Sequence, residues 1–272
     1  MSNEFTPLDF AATWQAYTNW RQRSVRTDED DRAMWASFAE KYDARVPVSE
    51  GLLALIRALA RPGDTVLDVG AGTGRMALPV ARFVRRVTAL DYSSAMLAVL
   101  QRKMVEQEIS NIEIVETSWE EAQVSPHDIV MAVFSLYRQP DILGALRKLV
   151  NVTRRTLIIV EADTGLKPPH EIPHGQLLAE LWGGAEGIPN YLYFAGMLWQ
   201  LGMRADVRVL YEHRSFQGAT PGEIAWQLAP AYAKPEEVEL FAQRLEPLLS
   251  HSEHGYCYCY TVPMGIVIWT RN

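Results

Sequence analysis

The stretch VLDVGAGTG, residues 66–74, decides the fold. An apolar run that ends in three closely spaced glycines reads as a buried strand turning sharply into a helix. Gly70, Gly72 and Gly74 let the backbone bend tightly and approach a ligand where a side chain would stand in the way. A nucleotide-like ligand is therefore the expected occupant. The spacing is GxGxG, with Arg75 at the place where a dinucleotide fingerprint carries its third glycine, which argues against a pyrophosphate site. Asp91 ends the next apolar run, 17 residues after Gly74. An acidic residue near that position accepts hydrogen bonds from ribose hydroxyls, so the ligand is expected to carry a ribose, most simply that of an adenosine.

Outward from this motif the pattern repeats. Short apolar runs at TVLDV, VTAL, IEIV, DIVMAVF and TLIIVEA are mostly separated by helical segments such as SSAMLAVLQRKMVEQ. That alternation predicts an α/β fold with a central, mostly parallel sheet flanked by crossover helices. MRADVRVLYEH and the last run, MGIVIWT, complete the sheet, the terminal strand at or near an edge. Ahead of the motif, residues 1–60 read as a helical cap: Trp14, Tyr17 and Trp20 recur at helical spacing, a second segment holds Trp35 and Phe38, and VSEGLLALIRALA opens on Ser49 as an N-cap. The remaining residues, 61–272, form the main domain, with insertions at 163–189 and 215–263 expected to lie over the ligand cleft as a lid. The helical spacing of the cap aromatics predicts core packing.

VLDVGAGTGRMALPVAR, followed by ALDYSSAML and preceded by AMWASFAEKYDA, resembles the class I S-adenosylmethionine-dependent methyltransferases, in particular their broad small-molecule group. The resemblance runs from about Trp35 to Glu161. It implies a Rossmann-like sheet and S-adenosylmethionine as cofactor. Gly70, Ala71, Gly72 and Gly74 would line its methionine portion, Asp68 would face the ammonium group, Asp91 would hold the ribose and Tyr92 would lie against the adenine. Where the family often has an acidic residue facing the adenine amino group, this chain has Ser118 followed by Trp119, an aromatic able to stack. The resemblance also brings the backbone of Phe134 to the cofactor and closes Tyr42 over its methionine end.

Composition narrows the setting. The 272 residues are 48% hydrophobic and 22% charged, as in an ordinary globular protein, and 26 Lys and Arg against 33 Asp and Glu give a net charge of −7. Phosphate-rich partners would be repelled on average, so nucleic acid is not the favoured acceptor. Two cysteines, an N-terminus without signal-peptide character and the lack of a long apolar run predict a cytoplasmic protein without a membrane partner.

The expected activity is methyl transfer to a small-molecule acceptor. Tyr137, His170, His174 and His254 are candidate general bases, none of them assigned. A non-catalytic S-adenosylmethionine-binding regulatory protein and a nucleotide-dependent oxidoreductase are the alternatives. No metal site is expected: prolines around His170 and His174 oppose a helix there, and Cys257 and Cys259, on one face of a strand, supply only two ligands.

Overall fold

Residues 8–22, 28–136, 139, 141–162, 177–178, 180–181, 190–229, 233–253 and 255–271 are described in a computed structural model. The cap sequence forms α1 (Phe10–Gln22), α2 (Asp28–Phe38), α3 (Tyr42–Arg45) and α4 (Glu50–Leu59). There follow β1 (Thr65–Val69), α5 (Ala77–Ala81), β2 (Arg86–Asp91), α6 (Ser94–Glu106), β3 (Ile112–Glu116), β4 (His127–Val133), α7 (Ile142–Val152) and β5 (Thr153–Ala162). Then come α8 (Asn190–Gln200), β6 (Asp206–Gly218), α9 (Pro221–Leu228), α10 (Pro235–Leu245), β7 (Ser250–Ser252) and β8 (Gly255–Thr270).

The strands form one sheet in the order β3-β2-β1-β4-β5-β8-β6, with β7 paired to β8. β1 to β5 are mutually parallel and β8 runs antiparallel to both β5 and β6. All five residues of β1 are buried, as a strand covered by helices on both faces requires. Strand alternation sends Leu67, Val69, Val130, Leu157 and Ile159 to the layer of α7, α8 and Trp14, and sends Val66, Ile129, Met131, Ile158 and Val160 to the layer of α4 and α5. Trp14 is fully buried and packs on Tyr193 and Phe194.

Ser49 does cap α4, accepting a hydrogen bond from the Leu52 amide at 3.1 Å. Leu52 and Ile56, on successive turns of α4, are fully buried beneath the sheet, so α4 is a layer of the main core as well as the end of the cap.

The last strand lies near an edge of the sheet, as its sequence predicts, with one strand outside it. β8 lies between β5 and β6, and β6 forms the edge. The reason lies in length and register: β8 has 16 residues, of which Met264 to Thr270 pair with β5 and Tyr256 to Ile268 with β6. The two ends of the stretch 215–263, expected as an insertion, are therefore the far end of this β6–β8 pair, continuous with the sheet. α9 and α10 cover one of its faces through Phe216, Ile224, Phe241 and Tyr258. Most of the other expected insertion, 163–189, lies outside the described residues.

Candidate active site

The strand order reverses at β1: β2 and β3 lie to one side, β4 and β5 to the other. The carboxyl ends of β1 and β4 diverge there, which is where ligands bind in open α/β sheets. A cavity of about 580 Å³ opens at this point, within the range of about 300 to 1,000 Å³ usual for small-molecule sites.

The glycine turn is held by backbone contacts. The Gly70 and Ala71 amides both donate to the Leu90 carbonyl, at 2.8 and 3.0 Å. Gly70 has φ +77°, and a Cβ there would stand 2.3 Å from Cβ of Ser135, whose hydroxyl donates to the Val69 carbonyl at 2.6 Å. Gly72 has φ +55° and nothing within 4 Å of where its Cβ would be, so the turn presents bare backbone to the cavity. The Gly72 amide donates to one oxygen of Asp91 at 2.8 Å, and the Ser93 amide donates to the other at 2.8 Å. A carboxylate has about four acceptor positions. Asp91 therefore ties the turn to β2 and keeps capacity for a pair of hydroxyl donors. Burial pushes its pKa upward, opposed by the amides of Ser93, Gly72 and Tyr92.

Around this centre stand Tyr42, Tyr92, Ser118, Trp119 and Phe134. Phe134 holds φ +56°, a strained conformation for an aromatic residue and one that clusters at functional sites. Its ring carries the Arg75 guanidinium 5.4 Å from the centroid. Trp119 is fixed by its indole N–H, which donates to the Ala145 carbonyl at 3.3 Å, with Lys148 4.6 Å from the ring centre. The Arg32 guanidinium lies 5.1 Å from the Tyr92 ring centre and donates to the Tyr92 carbonyl at 2.9 Å.

The helical cap is latched to the glycine turn through Asp43. This carboxylate accepts from the Thr73 hydroxyl at 2.6 Å and pairs with Lys103 of α6, while Lys103 also donates to the Thr73 carbonyl at 3.2 Å. Tyr42, the neighbour of Asp43, is thereby held at the mouth of the cavity.

Of the residues chosen from sequence, Tyr42, Gly70, Gly72, Asp91, Tyr92, Ser118, Trp119 and Phe134 line the cavity. Asp68, Ala71 and Gly74 lie behind its wall. Asp68 follows Val66 by two residues and so shares its face; it is 2% exposed, and burial lifts its pKa to about 7 against the pull of Arg75. Gly74 packs under α6, where a Cβ would meet Leu100. Tyr137, His170, His174 and His254 lie outside the described residues.

Arg32, Trp35, Glu120, Glu121, Ser135 and Gln139 also line the cavity and were not selected from sequence. The pair Glu120-Glu121, directly after Trp119, was the available signal for acidic groups near the adenine end. Trp35 and Phe38, expected to be core, are half-buried and stack with Tyr42 in a cluster whose ring centres lie 5.7 to 6.2 Å apart. Among the described residues no group of three or more His, Cys, Asp or Glu could hold a metal ion, and no helix is long and apolar enough to cross a membrane.

Residues 66–156, from β1 into β5, match a family described as a methyltransferase domain. That stretch is similar to a methyltransferase domain. The chain is 28% identical over 159 residues to an uncharacterized protein of Haemophilus influenzae, a match spanning 57% of each chain, so a little over half of that relative's length is covered. Its fold is similar to that of YcgJ from Bacillus subtilis, with TM-score 0.59, 15% identity and coverage of 82% of this chain and 99% of the other. It is also similar to magnesium protoporphyrin IX methyltransferase of Synechocystis, solved with bound S-adenosylhomocysteine, with TM-score 0.50, 14% identity and coverage of 97% and 96%.

The residues present fit S-adenosylmethionine, the cofactor that the resemblance implies. Bare backbone at Gly72 admits a close ligand, Asp91 offers acceptors for two ribose hydroxyls, and Glu120 and Glu121 add negative charge to a cavity that must receive a cation.

Proposed function

We propose that the protein transfers a methyl group from S-adenosylmethionine to a small-molecule acceptor, leaving S-adenosylhomocysteine. The observation that carries this reading is the pairing of the Gly72 amide with Asp91 at the cavity floor. A buried carboxylate with spare acceptor positions beside an open glycine turn, at the carboxyl ends of β1 and β2, supports a ribose-bearing ligand there. The magnesium protoporphyrin IX methyltransferase shares this fold and acts on a small molecule, which supports the acceptor class.

Bound in this cavity, the cofactor would supply an electrophilic methyl group on a positively charged sulfur. The protein's part is to hold and align. Asp91 would fix the ribose through its remaining acceptor positions. Tyr92 and the anchored Trp119 would flank the adenine with flat apolar surface, and Ser118, Glu120 and Glu121 would offer acceptors to its amino group. Trp35 and Tyr42, latched through Asp43, would cover the methionine end and keep water away from it. Alignment and exclusion of water supply much of the rate in such a transfer.

The test is incubation of the purified chain with S-adenosylmethionine labelled in its methyl group and separate small-molecule, RNA and protein extracts. Label is expected in the small-molecule fraction. Label confined to RNA or protein would reject the acceptor class, and failure of S-adenosylhomocysteine to bind in calorimetry would reject methyl transfer itself.

A further inference from the structure

A second cavity, of about 240 Å³, adjoins the first, and Trp35 lines both. Its walls come from opposite ends of the chain. α2 contributes Met34, Trp35 and Phe38, while the extended β6–β8 pair contributes Arg214, Phe216 and Tyr260. The register sets Arg214 opposite Tyr260 and Phe216 opposite Tyr258, on the face that α9 and α10 leave partly uncovered. Phe216 and Tyr260 stack with planes 6° apart and centres 5.7 Å apart, next to the Trp35 and Phe38 pair. Two aromatic surfaces suit a flat ring system.

The charged residue in this wall is Arg214, beside the polar Gln227 and Tyr260. Its side chain is 14% exposed and reaches Glu212 at 3.4 Å. Its Nε is buried without a hydrogen-bond partner among the described residues, and so is Oε1 of Glu212. Buried polar atoms are nearly always satisfied, and an unsatisfied one beside a cavity points to a ligand atom. Arginine presents its donors in a planar fork matched to carboxylate geometry. Burial raises the pKa of Tyr260 and keeps its hydroxyl neutral beside this guanidinium.

We propose that this second cavity seats the methyl acceptor, and that the acceptor is a flat aromatic molecule bearing a carboxylate that accepts hydrogen bonds from Arg214. The proposal rests on the methyl-transfer reading for its role and on the second cavity alone for its ligand. Trp35 then stands at the border where the two cavities adjoin, beside the place where acceptor and cofactor would meet. The long β6–β8 extension thereby acquires a purpose: it carries an arginine and two aromatic rings to the mouth of the cofactor cavity.

The test uses the full chain, with 2-naphthoate and naphthalene as probes in calorimetry, each with and without saturating S-adenosylhomocysteine. 2-Naphthoate is expected to bind at least tenfold more tightly than naphthalene. Arg214→Gln should weaken 2-naphthoate at least tenfold while leaving naphthalene and S-adenosylhomocysteine within twofold, the latter showing that the variant is folded. Arg214→Lys, which keeps the charge and loses the fork, should fall between the two. Phe216→Leu should weaken both probes alike. Equal affinities for the two probes, absence of 2-naphthoate binding at millimolar concentration, or an Arg214→Gln variant that binds 2-naphthoate as before would overturn the proposal. Failure of S-adenosylhomocysteine to bind would instead remove the methyl-transfer reading, and 2-naphthoate binding measured without it would still decide what the second cavity takes.

Discussion

The two ends of the sheet solve different problems. From β3 to β5 the strands are parallel and short, and the site they support is made largely of backbone: amides of Gly70, Ala71 and Gly72 tied to Leu90 and Asp91. From β8 to β6 the strands are antiparallel and long, and what they build is made of side chains: Phe216, Tyr258, Tyr260 and Arg214 under α9 and α10. A cofactor that never varies is met by fixed backbone geometry. A ligand that differs from enzyme to enzyme is met by side chains, which can be exchanged without disturbing a glycine turn. The two halves should therefore respond separately to substitution.

The largest expected effect lies in the extension. Phe241 is fully buried between α10 and the β6–β8 pair, and Phe241→Ala should cost about 3 to 5 kcal/mol of stability. Urea denaturation would register this loss, while S-adenosylhomocysteine affinity at low urea should stay unchanged; a parallel loss of affinity would mean that the halves are not separable.

Gly70→Ala is the counterpart in the cofactor half. The added Cβ meets Ser135 at 2.3 Å, overpacking of a kind that costs about 1 to 3 kcal/mol, and left-handed backbone adds roughly 1 to 2 kcal/mol. The loss should fall on cofactor affinity, measured by calorimetry, and a Gly70→Ala protein with native affinity would show that the turn has room the structure denies it. Asp91→Ala should weaken S-adenosylhomocysteine by about 1 to 3 kcal/mol through lost hydrogen bonds to ribose. Unchanged affinity in the folded variant would remove Asp91 from the site.

The last effect concerns pH and is read as a slope. Burial lifts the Asp68 carboxyl from 3.8 to about 7, so between those values the folded state binds a proton that the unfolded state has released. This contribution to stability is full below about pH 4 and is lost as pH rises toward 7, with a slope of at most about 1.4 kcal/mol per pH unit. Asp68→Asn should flatten that slope in denaturation series from pH 4 to 8, and an unaltered slope would show that another group is responsible.

The same contrast explains what the sequence could tell. Residues 66–91 disclose the cofactor half because a tight turn leaves its mark in consecutive residues: three glycines, then an aspartate at the end of the next strand. Ser49 was legible as a cap for the same local reason. Asp68 was chosen from the same motif and lies behind the wall, because strand alternation, set by which face the sheet buries, outweighs adjacency to the turn. The extension left no such mark. Trp35 and Phe38 have the spacing of core residues, and only the arrival of Phe216 and Tyr260, 181 and 225 residues beyond Trp35, makes a cavity beside them. The place of β8 between β5 and β6 was hidden for the same reason, since a strand with two partners and a strand with one share the same apolar pattern.

That place has a consequence for how the molecule comes into being. β6 is synthesised before β8 yet joins the sheet only through it. As the chain emerges from the ribosome, the five parallel strands can close around the glycine turn early, as amino-terminal regions generally do. β6 must wait without a template until β8 slides into the gap. The aromatic edge that later faces a ligand spends this interval as an unpaired strand, which is the state in which nascent proteins most often find the wrong partner.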